Sequence, residues 1–133
     1  MARRMTVTLP ATGRAAGLAR QATRDALAAW QVAHLEETAV LLVSELVGNV
    51  LRHARTRALA MALCLDTEMA SLLIEVHDTD PHEPRPRRPG TLDESGFGFV
   101  LVDALAGKWG VRPTEIGKAV WVELDARQPV NHP

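Results

Sequence analysis

The chain has 133 residues, a single cysteine and a formal net charge of −1. That length fits one domain with a core of its own, and one cysteine excludes an internal disulfide and suits a reducing cytoplasm. Near-neutral charge leaves no global basic field for nucleic acid, and no apolar stretch is long enough to span a bilayer, because Arg52 and His53 close the best candidate.

Met1-Ala2-Arg3-Arg4 is basic, but Thr6 and Thr8 interrupt the apolar residues after it, so it makes a poor signal peptide. Met5 to Leu9 alternates apolar and polar residues as a half-buried strand does, and Pro10 stops it. Arg14 to Trp30 reads as an Ala-rich helix with Leu18, Ala22, Leu27 and Trp30 as its buried stripe. His34 to Ala54 reads as a second helix, with Leu35, Leu41, Leu42, Leu46, Val50 and Leu51 forming a broad apolar surface. Ala58 to Leu65 and Ser71 to His77 form two strands around the turn Asp66-Thr67-Glu68, and Cys64 falls in the core of the first.

Composition then shifts. Asp80 to Ser95 contains Pro81, Pro84, Pro86 and Pro89 with Arg85, Arg87 and Arg88, which excludes helix and central strand. A loop of that length in a small domain is functional or disordered. Gly96 to Ala106 returns to a helical pattern with Gly107 as C-cap, and Trp109–Pro113 with Ala119–Leu124 reads as a closing hairpin. The sequence predicts an α+β two-layer sandwich: a mixed, mostly antiparallel sheet with about three helices on one face. Residues 1–133 form one domain, with a core over 5–124, a lid loop over 79–95 and a frayed tail over 128–133. Abundant Ala, Arg, Leu and Val, with no Tyr, points to a GC-rich bacterial genome.

Three patches carry chemistry. Glu45 and Asn49 lie four residues apart, on one helix face and about 6 Å apart along the axis, and His53 extends the row. A carboxylate and a carboxamide on an apolar helix need a reason, since burying them unpaired is costly. Mg²⁺ is one, because it takes oxygen ligands; a solvated polar stripe is the other. Asp78 ends a strand, where it can accept a hydrogen bond from an adenine amine or cap a turn. Gly96-Phe97-Gly98 opens a helix whose N-terminal N–H groups suit phosphate; close packing of the glycines is the alternative. No Walker, nucleophile-elbow or metal-ligand spacing is present.

In order and separation these patches resemble the GHKL ATPase superfamily, shared by histidine kinases, gyrase and MutL. The chain as a whole, from Met5 to Leu124, looks like the small stand-alone bacterial anti-sigma factor serine/threonine kinases of the HATPase_c_2 type. Glu45-x-x-x-Asn49-x-x-x-His53-Ala54 is similar to their N box, Asp78 to the adenine-reading aspartate, and Gly96-x-Gly98-Phe99-x-Leu101-Val102 to the second glycine box. Gly117-Lys118-Ala119-Val120-Trp121 matches the usual ending. The resemblance implies a Bergerat sandwich that binds ATP and Mg²⁺. Asn49 would ligate Mg²⁺, Glu45 would be the catalytic carboxylate, and Asp78 would read adenine. Arg52 and His53 would approach the phosphates, Gly96, Phe97 and Gly98 would close over them, and Lys118 would line the nucleotide site. The implied partners are a sigma factor and an anti-anti-sigma protein of the STAS type, in the cytoplasm, with no membrane and no direct nucleic-acid contact; relatives of this type often form homodimers. The pattern departs from the family where Asp80 stands in place of the glycine of Asp-x-Gly. That departure favours a second reading, a non-catalytic partner-binding module with a degenerate nucleotide site.

Overall fold

The computed structural model describes residues 2–53, 55–80 and 107–128. In chain order they form β1 (Ala2–Pro10), α1 (Ala15–Ala29), a 3-10 turn (Ala33–Leu35), α2 (Glu36–His53), β2 (Ala58–Asp66), β3 (Ser71–Asp78), β4 (Lys108–Pro113) and β5 (Lys118–Asp125). The strands make one sheet in the order β1-β2-β3-β5-β4. All four pairings are antiparallel, so the mixed sheet allowed by the sequence resolves to an antiparallel one among the described residues. β3 and β4 both run antiparallel to β5, so they point the same way with β5 inserted between them. The expected third helix and the lid from Pro81 onward lie outside the described residues.

Alternation decides which face of each strand is buried. Leu59, Met61, Leu63 and Leu65 of β2, Leu72, Ile74 and Val76 of β3, and Val120, Val122 and Leu124 of β5 all join the core. Leu42, Val43, Leu46, Val47 and Val50 of α2 close it from the helical layer. Both strand-ending prolines, Pro10 and Pro113, sit on the edge strands β1 and β4, where a missing N–H is tolerated. β1 begins at Ala2, earlier than the alternation suggested, because pairing with β2 runs from Ala2↔Asp66 to Pro10↔Ala58.

α1 ends with Gln31 in the left-handed region (φ 59), where Gln31 N–H bonds Ala28 O and Val32 N–H bonds Leu27 O, a Schellman closure without its usual glycine. The expected α1 stripe is shifted. Ala15, Ala19, Thr23, Ala26 and Leu27 are buried, while Leu18 is 44% exposed. Small residues let α1 approach its neighbours closely, so the Ala face goes inward and Leu18 goes out. On α2, Leu41 is likewise exposed. Cys64 is half-buried between the core positions Leu63 and Leu65, so it belongs to the sheet face away from the helices rather than to the core. Among the described residues no helix is long and apolar enough to cross a membrane.

Candidate functional site

The alternation that buries Leu72, Ile74 and Val76 places Asp78 as the last core-facing residue of β3. Lys118 is the first such residue of β5, and the register sets the two opposite each other. The chain therefore puts a carboxylate and an ammonium where two neighbouring strands would otherwise continue their apolar rows. Their side chains are 0% and 8% exposed, and Lys118 Nζ lies 3.1 Å from Asp78 Oδ2. Asp78 Oδ1 accepts hydrogen bonds from Asp80 N–H (2.8 Å) and from Lys118 Nζ (3.1 Å). Lys118 Nζ also donates to the Asp80 carbonyl at 3.1 Å. Asp78 Oδ2 is buried with no hydrogen bond among the described residues, so its contact with the ammonium is electrostatic only. Desolvating both charges is costly, and each is tolerable only while the other stays in place.

Asp80 completes this clasp. Its carboxylate Oδ2 accepts the N–H of Arg55, just after α2, at 3.0 Å. Thr79 Oγ1 meets Thr56 Oγ1 at 2.8 Å, and Thr56 Oγ1 accepts the Thr79 N–H at 3.3 Å. The end of β3 is thus tied to the segment leaving α2. The only described non-glycine residues with positive φ are Gln31 and Ala70, so Asp80 adopts an ordinary backbone. The missing glycine of Asp-x-Gly is replaced here by a side chain that has a partner. Gly117 packs directly on this segment: a Cβ there would collide with Asp78 O and lie 2.7 Å from Thr79 Cα. Only a residue without a side chain lets the turn before β5 approach so closely.

On α2, Glu45 and Asn49 are both half-buried. Asn49 Oδ1 accepts a hydrogen bond from Arg52 Nη2 at 2.9 Å, one turn on, and this fixes the orientation of the carboxamide. Asn49 Nδ2 is buried without a partner among the described residues. Glu45 makes no hydrogen bond or ion pair among them. His53 is the last residue of α2. Gly96, Phe97 and Gly98 lie outside the described residues. Among the described residues no cluster of three or more His, Cys, Asp or Glu could hold a metal. A single Asn oxygen completed by phosphate oxygens and water would need no such cluster. The Asn49 carboxamide oxygen fits that donor chemistry, provided the exposed Arg52 swings off it; the orphaned Asn49 Nδ2 is a hydrogen-bond donor and suits a phosphate oxygen instead, and Glu45 is left without a partner among the described residues.

The structure brings the predicted residues together in two groups: Asn49 with Arg52, and Asp78 with Lys118. The first lies on the last turns of α2, and the second is joined to the segment just beyond α2 through Asp80–Arg55 and Thr79–Thr56. Reasoning from sequence missed Arg55, Thr56 and Gly117 as parts of the site. The signal for Gly117 was its place just before Lys118, in a turn closed by Thr114 and Gly117. An open groove of about 240 Å³ lies at the opposite end of the sheet, by Ser71, Lys108 and Asp125, and contains none of the predicted site residues.

A separate polar cluster sits on the sheet face away from the helices. Glu75 Oε2 accepts from Arg112 Nη2 at 2.5 Å and meets His77 Nε2 at 2.7 Å. Burial pushes the Glu75 carboxyl up, but the hydrogen bonds from His77 and Arg112, with their charges, more than offset this and leave it below the ordinary glutamate range. A depressed folded-state pKa contributes stability above the unfolded value of 4.5 and loses it as pH falls through the folded value. Glu75→Gln is therefore expected to lower stability at pH 7 by about 1–3 kcal/mol, with the gap to wild type closing in acid. Urea denaturation at pH 7 and pH 3.5 checks this; a gap independent of pH would contradict it.

A family model described as a histidine kinase-like ATPase domain matches residues 9–124, from the end of β1 through most of β5. No match was found among curated proteins. Domains of this kind bind nucleotide, usually with Mg²⁺. With an α+β sheet-and-helix sandwich under the match, the chain belongs to the family of histidine kinase-like ATPase domains, of the GHKL type.

Proposed function

We propose that the protein is an ATP-binding anti-sigma regulatory factor that phosphorylates a serine or threonine of an anti-anti-sigma partner of the STAS type. The observation that carries the reading is the pair Glu45 and Asn49, presented one turn apart on α2 in a chain matching the family over residues 9–124. Asn49 and the nucleotide phosphates would hold Mg²⁺, which when bound offsets the charge on the phosphate oxygens. Glu45, with no competing partner among the described residues, takes the proton of the attacking hydroxyl. Arg52 leaves the Asn49 oxygen and turns to the phosphates, and His53 follows it on the helix. Asp78 accepts from the adenine amine. Gly96, Phe97 and Gly98 close over the phosphates. Regulation proceeds by partner exchange in the cytoplasm: a homodimer of this chain, in the manner of such kinases, holds the sigma factor until the antagonist displaces it.

Calorimetric titration with ATP and Mg²⁺ tests the binding. Asn49→Ala is expected to weaken Mg·ATP at least tenfold, about 1.4 kcal/mol; binding equal to wild type would remove Asn49 from the site. Glu45→Gln is expected to bind Mg·ATP normally but to lower phosphate transfer to a STAS protein about 10²–10⁴-fold. The second reading, a non-catalytic partner-binding module, draws on the Asp78–Lys118 clasp, which occupies the carboxylate with an internal cation. ATP binding with no transfer to any STAS protein would favour that reading.

A further inference from the structure

Lys118 has three ammonium protons, and two have acceptors: Asp78 Oδ1 and the Asp80 carbonyl. The third has none among the described residues. The neighbouring Asp78 Oδ2, 3.1 Å from the same nitrogen, is buried and accepts no hydrogen bond there. An open donor therefore stands beside an open acceptor, both on side chains more than nine-tenths buried. The Watson–Crick edge of adenine is the complement of that pair: a 6-amino donor beside the N1 acceptor.

We propose that Lys118 is a base-reading residue of the nucleotide site, donating to N1 of adenine while Asp78 Oδ2 accepts from the 6-amino group. The proposal rests on the ATP-binding reading above and extends it to base choice. The clasp fixes the order of donor and acceptor. Asp80 N–H holds the Asp78 carboxylate and the Asp80 carbonyl holds the ammonium, so the two cannot trade places. A 6-oxo purine presents the opposite order, an acceptor at position 6 and a donor at N1, and so meets a like group at both positions. A base with C–H at N1 keeps the amino contact but leaves the ammonium proton facing carbon. Sites built to hydrogen-bond a ligand reject analogues that lack the partner, because a buried polar group is then left unpaired.

Calorimetry on the full chain with Mg²⁺ and either ATP, 1-deaza-ATP or ITP tests this. The expected result is 1-deaza-ATP at least tenfold weaker than ATP, with ITP weaker still. In Lys118→Met, ATP and 1-deaza-ATP should bind alike. If that variant does not fold, the wild-type comparison decides alone. Equal wild-type affinity for ATP and 1-deaza-ATP, or for ATP and ITP, would overturn the role of Lys118 while leaving ATP binding intact. Tighter ATP binding by Lys118→Met than by wild type would also overturn it, showing that the ammonium blocks Asp78. No binding of any nucleotide would overturn the nucleotide site and this inference together.

Discussion

Lys118→Met is expected to lower the unfolding free energy by about 3–5 kcal/mol, because it leaves the fully buried Asp78 carboxylate without its counter-charge. Methionine keeps much of the lysine length, so little of the loss comes from a cavity. Asp80 N–H still reaches Asp78 Oδ1, but one neutral donor does not replace an ammonium. Removing both charges should reverse the effect. Asp78→Leu combined with Lys118→Met restores apolar rows on β3 and β5 and is expected to recover most of the loss. The comparison separates the cost of an orphaned charge from the cost of losing the pair. Urea denaturation followed by circular dichroism measures all three proteins. A single variant within about 0.5 kcal/mol of wild type would mean that water reaches the carboxylate.

Among the described glycines, Gly117→Ala should be the most damaging replacement. Its Cβ would collide with Asp78 O and lie within 2.8 Å of two Thr79 backbone atoms, and backbone cannot step aside as a side-chain tip can. Either the turn before β5 lifts or the end of β3 shifts, and both displace Asp78 from Lys118. The expected cost is about 3 kcal/mol or more, at the upper end of overpacking effects, with nucleotide affinity falling alongside. Gly13→Ala is the control: nothing lies within 4 Å of its Cβ, and it should change stability by less than about 0.5 kcal/mol. Thermal unfolding of the two variants side by side would refute the argument if they behaved alike.

Much of the sheet was legible in advance because a period of two is hard to disguise. Val76 and His77, or Val120 and Trp121, take opposite faces whatever the helices do. Helix α1 was less legible. Its alanines give little contrast, and size favoured Leu18 over Ala19, whereas close approach of the helix favoured the reverse. In the site, the four-residue step from Glu45 to Asn49 and the strand-ending position of Asp78 could be read locally. The hold of Lys118 on Asp78 could not, since it depends on which strand lies next to β3. Asp80 looked like a lost glycine; its partners, the Arg55 N–H and the Lys118 ammonium, become visible only when three separate stretches of chain meet.

β5 enters the sheet between β3 and β4, although it comes after both in the chain. During synthesis β3 therefore emerges with one flank paired to β2 and the other open, and β4 has no described strand to join. The counter-charge of Asp78 is also still missing. A carboxylate bound for the interior must stay hydrated until Lys118 arrives from about forty residues downstream, and that long closure carries an entropic cost. Insertion of β5 thus supplies the pairing of two neighbours, the neutralisation of the buried acid and the inward row of Val120, Val122 and Leu124 in one event. A growing chain that stops short of Lys118 has Glu45, Asn49 and Asp78 but not the site, so maturation of the pocket waits for β5 to leave the ribosome.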